Sequence, residues 1–93
     1  MTQIKKLYLK LSKQPTPSDV TFNELNRLLV YYGFECRQPS RGGSHYVYVH
    51  CLLDDFHLTI PRAKPIKKPY TRVAIEAVNR IIELTSGDDH YGY

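Results

Sequence analysis

The segment Gly42-Gly43-Ser44-His45, with Arg41 just upstream, is the part of this sequence best suited to chemistry. Glycines let a main chain come close to a phosphate, and a serine hydroxyl can donate to a phosphate oxygen. A histidine titrates near neutrality, so His45 can take a proton from a sugar hydroxyl or return one. RNA carries its own nucleophile in the 2′-hydroxyl. Cutting it therefore takes a base, a cationic setting and alignment, without an attacking serine, cysteine or metal. The plainer reading of the same residues is a surface histidine beside a hairpin turn.

The other chemistry-bearing residues point less clearly to a reaction. His50 and His57 are expected on an outer sheet face, in cross-strand polar packing, and His90 lies in the tail. His45, His50, His57, Cys36 and Cys51 lack the spacing of a zinc site, and alternation sends the adjacent His50 and Cys51 to opposite faces. No metal or other cofactor is expected. Asp54-Asp55 reads as turn chemistry and Asp88-Asp89 as tail. Cys36 and Cys51 are expected to be reduced and buried on the apolar face, not nucleophilic.

A second cluster is cationic. Arg62, Lys64, Lys67, Lys68 and Arg72 fall in or just after a loop stiffened by Pro61, Pro65 and Pro69, with no acid anywhere in residues 56–75. The loop runs into the start of the last helix, where the dipole and free amides add to the positive field. Phosphate oxygens suit such a surface. Tyr46 and Tyr48, expected on the outer face, suit either base stacking or a protein partner.

Charge and length set the frame for these residues. The 93 residues hold 13 Lys and Arg against 9 Asp and Glu, a net charge of +4. The surplus is uneven: Lys5, Lys6, Lys10 and Lys13 share the first 18 residues with no acid. A small basic domain suits an anionic partner, nucleic acid first. The length excludes multi-domain and dinucleotide-fold enzymes. The apolar runs are too short to span a membrane, and the first residues carry no secretory apolar stretch, so a cytoplasmic location is expected.

The elements that must position these residues are legible from spacing. Ile4, Leu7 and Leu11 predict a basic amphipathic helix over 1–14, and the Pro-rich stretch 15–19 predicts a linker. Thr21 with Glu24 forms a capping box, Val20 and Leu25 a hydrophobic staple, and Gly33 a left-handed C-cap after a helix with Phe22, Leu25, Leu28, Leu29 and Tyr32 on one face. Strands are expected at Phe34–Arg37, His45–Leu52 and Phe56–Ile60. With Asp54-Asp55 as the hairpin turn, Leu53 faces Phe56, Cys51 faces Leu58 and Val49 faces Ile60 in the core. A last helix carries Ala74, Ile75, Val78, Ile81 and Ile82 inward and closes at Gly87. The expected fold is α+β, a two-layer α-β-β-β-α sandwich with an extra N-terminal helix, in the order of double-stranded-RNA-binding domains.

Val20-Thr21-Phe22-Asn23-Glu24-Leu25 through Tyr32-Gly33-Phe34-Glu35, then Gly43-Ser44-His45-Tyr46-Val47-Tyr48-Val49-His50, then Leu58-Thr59-Ile60-Pro61 and a Lys-rich stretch into a final helix, together resemble the HicA family over roughly residues 20–84. HicA proteins are small mRNA-cleaving toxins of toxin–antitoxin pairs, with a double-stranded-RNA-binding-like fold. The resemblance implies that His45 is the catalytic residue of a metal-independent endoribonuclease. It further implies a HicB-type antitoxin that covers the RNA-binding surface, with operator DNA bound only through the complex. The family often has a second histidine where this chain has Tyr46, and His-Pro where it has His50-Cys51.

The resulting division is a basic helix at 1–14, a linker at 15–19, an RNA-binding and cleaving domain at 20–87 and a tail at 88–93. A non-catalytic RNA-binding module and a pure protein-interaction domain are the alternatives, and neither requires His45 after Gly43-Ser44.

Overall fold

A computed structural model describes residues 2–37, 45–63 and 65–89 of the chain. Among them are three helices and three strands: α1 (Thr2–Leu11), α2 (Phe22–Tyr31), β1 (Glu35–Arg37), β2 (His45–His50), β3 (Leu53–Pro61) and α3 (Lys68–Asp89). The strands form one antiparallel sheet in the order β1-β2-β3. The fold is thus a small α+β unit, with α2-β1-β2-β3-α3 following the expected order and α1 added in front.

Local signals decide the ends of α2. Thr21 Oγ1 accepts from the Glu24 amide at 3.1 Å, and a Glu24 carboxylate oxygen accepts from the Thr21 amide at 3.0 Å, which completes the capping box. At the other end Gly33 has φ +94°, which an L side chain rarely adopts. The Phe34 amide bonds to the Leu29 carbonyl and the Gly33 amide to that of Val30, each at 3.0 Å. This is a Schellman stop, and it delivers Phe34 into the core beside Leu29.

The hairpin between β2 and β3 departs from expectation. The turn is Cys51-Leu52, not Asp54-Asp55, because His50 pairs with Leu53, Tyr48 with Leu58 and Tyr46 with Ile60. The register is irregular between Tyr48 and His50. The extra residues sit on β3, where Asp55 takes φ +60°. Leu58 thus faces Tyr48 where Cys51 was expected, an odd shift of three, and an odd shift turns the strand over. Tyr46, Tyr48 and His50 therefore point toward the helices. Val47, Val49 and His45 take the open face.

Two further expectations are corrected. Cys36 and Cys51 are both exposed, since Cys51 is in the turn and Cys36 lies on a three-residue edge strand whose residues are all exposed. Gly87 does not end the last helix, which continues to Asp89.

One core joins the three helices to β2 and β3. Leu7 and Leu11 of α1, Leu25, Leu28 and Leu29 of α2, Tyr48, Leu58 and Ile60 of the sheet, and Ala74, Val78 and Ile81 of α3 are buried together. Lys10 of α1 reaches Glu24 of α2 at 2.7 Å, and the Tyr8 hydroxyl donates to Asn79 of α3. The stretch between α1 and α2 is packed down, with Thr16 only 6% exposed and Val20 fully buried. No described helix is long and apolar enough to cross a membrane.

Candidate nucleic-acid interface

His45 is the first residue of β2 and is exposed. It pairs with Pro61, and two residues along the same face Val47 lies between Arg37 of β1 and Thr59 of β3. That face holds His45, Thr59, His57, Glu35 and Arg37 as exposed residues, with Val47 and Val49 half-buried. The helices pack on the other side. Among the described residues nothing hydrogen-bonds the His45 ring. Arg41, Gly43 and Ser44, expected around it, lie outside the described residues, as does Lys64.

Arg62 follows Pro61 directly, so it shares His45's end of the sheet. Its side chain turns to the α2 side. The guanidinium carbon lies 5.6 Å from the centre of the Phe22 ring, and one amino group reaches the Tyr46 hydroxyl at 3.5 Å. The Phe22 and Tyr46 rings sit 4.9 Å apart. This cation–π seat holds the guanidinium beside a groove of about 310 Å³ lined by Thr21, Phe22, Asn23, Arg62 and Ala63. His45 and Arg62 flank one end of the sheet from its two faces.

Tyr46 and Tyr48 are not the outward pair that was expected. Tyr48 is fully buried, and its hydroxyl donates to Asn26 Oδ1 at 2.7 Å. Burial, reinforced by the nearby Cys36 thiol, pushes its pKa far above that of an ordinary tyrosine. It cannot stack a base. Tyr46 is half-buried with its ring taken by Phe22, leaving the hydroxyl beside Arg62 as its accessible feature.

The remaining expected cations gather on a second groove, of about 670 Å³, lined by Ser18, Ala63, Pro65, Ile66, Lys67, Lys68, Pro69 and Arg72. Ile66 anchors it: the side chain is buried, and the amide donates to the Val20 carbonyl at 2.8 Å. The loop that carries the cations is thereby tied to the start of α2. Arg72, one turn into α3, is not free to swing, because its Nε donates to the buried Thr16 hydroxyl at 3.2 Å. Thr16 escaped the sequence reading, which treated residues 15–19 as a linker; its only signal was a threonine between two prolines.

The other end of β2, roughly 17 Å away along the strand, is a different place. His50 does not face outward. Its Nδ1 accepts from the Leu52 amide at 3.0 Å, and Nε2 lies 2.9 Å from the Tyr32 carbonyl. An acceptor at Nδ1 requires the hydrogen at Nε2, so the ring is held as one neutral tautomer that bridges the hairpin turn and the end of α2. His57 is exposed, with Asp54, Asp55 and Glu35 around the same cleft of about 510 Å³. Carboxylates make this end a poor surface for RNA. No group of three His, Cys, Asp or Glu among the described residues is placed to hold a metal ion.

Lys10 is the one N-terminal lysine drawn into an ion pair among the described residues. Burial of the Glu24 carboxylate acts to raise its pKa. The hydrogen bonds from Lys10 and the Thr21 amide outweigh that and hold it below the usual carboxylate range.

No family model matches this chain, and no curated protein or solved structure shows significant similarity to it.

Proposed function

We propose that this chain is a metal-independent endoribonuclease of the HicA type, an mRNA-cutting toxin that a HicB-type antitoxin neutralises. The observation that carries this reading is the position of His45: exposed, unbonded among the described residues, first in the central strand, and on the open face at the end of the sheet whose helix side carries Arg62. The order α2-β1-β2-β3-α3 supports the likeness to a double-stranded-RNA-binding domain. The open face with Val47 and Val49 is the surface an antitoxin would cover, and operator DNA would be reached only through that complex. The substrate places the protein's action in the cytoplasm.

In the proposed reaction His45 takes the 2′-hydroxyl proton, and O2′ attacks the adjacent phosphorus. The bond from phosphorus to O5′ of the next nucleotide breaks, and O5′ takes up a proton. The products are a 2′,3′-cyclic phosphate and a 5′-hydroxyl. Arg41, Gly43 and Ser44 surround the phosphate in this reading. Arg62, Lys67, Lys68 and Arg72 hold the flanking chain. Proton transfer by one positioned side chain is worth about 10²–10⁴-fold, so the enzyme is a modest one, relying on charge and alignment.

The test is cleavage of single-stranded RNA in a chelator by wild type and His45→Ala. The expected result is cyclic-phosphate ends from wild type, loss of cleavage in the variant, and equal thermal melts. Undiminished cleavage by His45→Ala would sink the assignment. A non-catalytic RNA-binding module of the same fold is the second reading, favoured by the lack of any described group that orients the His45 ring. RNA that binds wild type and is never cut would select it.

A further inference from the structure

The two basic grooves described above are joined to each other, and to a third, by shared residues. Ala63 lines both the Arg62 groove and the Lys67–Lys68 groove. Arg72 lines the latter and also a groove of about 320 Å³ between α1 and α3, with Lys13, Thr16, Ser12 and Glu76. From Arg62 through Lys67 and Lys68 to Arg72 no acid lines the path, and Glu76 is the one acid at its far end. Lys5, Lys6 and Lys10 line none of these grooves.

Arg72 is a built feature, not a loose surface charge. Thr16 is nine-tenths buried and spends its oxygen on Nε, which fixes the plane of the guanidinium. Both Nη groups are without partners among the described residues. They are left to present a planar fork of the kind that binds two phosphate oxygens at once. Lys13, exposed at the end of α1, supplies a point charge beside it.

We infer that single-stranded RNA continues from His45 along this track to a distal phosphate seat made by Arg72 and Lys13, with Thr16 as the residue that positions Arg72. The inference rests on the proposed RNA substrate and extends it. The N-terminal helix and the 12–19 segment become part of the substrate surface, and affinity depends on RNA length. Single-stranded RNA is favoured over an acidic protein because the cations are strung along a narrow path and include a fixed fork.

The experiment measures anisotropy of labelled 2′-O-methyl RNA, which cannot be cut through its 2′-oxygen, on the full chain. Oligomers of about four and about twelve nucleotides are compared. Wild type should bind the longer one more tightly. Lys13→Ala, Arg72→Lys and Thr16→Val should each weaken the longer one about tenfold, as loss of a charge-assisted hydrogen bond does. Lys13→Ala should also lower the salt slope by about 0.7, one single-strand phosphate contact. Thr16→Val should weaken binding with the slope kept, because the charge remains and only its orientation is lost. Thermal melts check that Thr16→Val folds, and exposed Arg72→Lys is the second probe of the same contact. Wild-type affinity in all three variants would overturn the track. So would an equal loss in Lys6→Ala, or polyglutamate binding as tightly as RNA with the same losses. The nuclease reading fails separately: no cutting of ordinary RNA with weakened binding in these variants removes the catalysis and keeps the track.

Discussion

A Cβ placed on Gly33 would lie 3.0 Å from Nε2 of His50. The end of α2 and the β2–β3 turn meet at that point. Gly33 needs its positive φ to close the helix, and the missing side chain makes room for the imidazole that reaches the Tyr32 carbonyl. Gly33→Ala meets both obstacles, the left-handed backbone and the ring. A loss of about 2 kcal/mol is expected, or a drop of roughly 10 °C in Tm for a domain of this size. A thermal melt matching wild type would show that the His50 contact is not maintained.

His50 and His45 are separated in role by their hydrogen bonds. His50 has a partner on each nitrogen, and His45 has none among the described residues. His50→Phe keeps the edge packing on Phe34, whose ring centre is 4.7 Å away, and loses both polar contacts. It should cost about 1–3 kcal/mol, read by urea unfolding, with RNA cleavage retained below its melting temperature. His45→Ala should do the reverse. Cleavage that fails in folded His50→Phe would bring His50 into the reaction.

How far the sequence could be read follows from where each decision is made. The capping box, the Gly33 stop and the inward face of α2 are local, and each was legible from a few neighbouring residues. The facing of β2 was not. His45-Tyr46-Val47-Tyr48-Val49-His50 carries large apolar groups on both faces, so a period of two does not say which set is buried. Non-local partners decide: Phe22 takes Tyr46, Asn26 accepts from Tyr48, and Phe34 packs on His50. Asp54-Asp55 looks like a turn and instead falls in the irregular stretch of β3. His45 was singled out by type and spacing, and its exposed place at the start of β2 follows from the strand beginning there. The seat of Arg72 was invisible because Thr16 lies 56 positions away.

Tyr48→Phe tests that facing directly. It removes one hydroxyl and leaves Asn26 Oδ1, in a partly buried setting, without its donor. About 1 kcal/mol of stability should be lost. Affinity for RNA should stay at the wild-type value, because a fully buried ring has no base to stack on. Weakened RNA binding in the folded variant would contradict the inward placement.

The Lys10–Glu24 pair gives the docking of α1 a pH limit. Glu24 is held below its ordinary value of 4.5, so its contribution is present above that value and is lost as pH falls through the lower folded one. Lys10 is raised above 10.5, mainly by its hydrogen bond to Glu24, so its contribution is present below that value and disappears at higher pH. Glu24→Gln keeps an acceptor for the Thr21 amide and removes the charge. Its melting temperature should fall below that of wild type near neutrality, and the two should converge as pH falls below 4.5 and through the lower folded value. Parallel curves over that range would place the stabilising role in the cap alone.

Thr71 sits one residue before Arg72 and presents the opposite problem. Its side chain is fully buried, and Oγ1 has no hydrogen-bond partner among the described residues. A buried hydroxyl without a partner has lost its water and gained nothing in return. Valine has nearly the same shape without that oxygen, so Thr71→Val should raise stability by about 1 kcal/mol. The substitution leaves Arg72 and Thr16 in place, and RNA affinity should be untouched. Chemical denaturation reads the first effect and anisotropy the second. A destabilised Thr71→Val would mean that the hydroxyl has found a partner, the Lys67 carbonyl one turn back being the nearest by helical spacing.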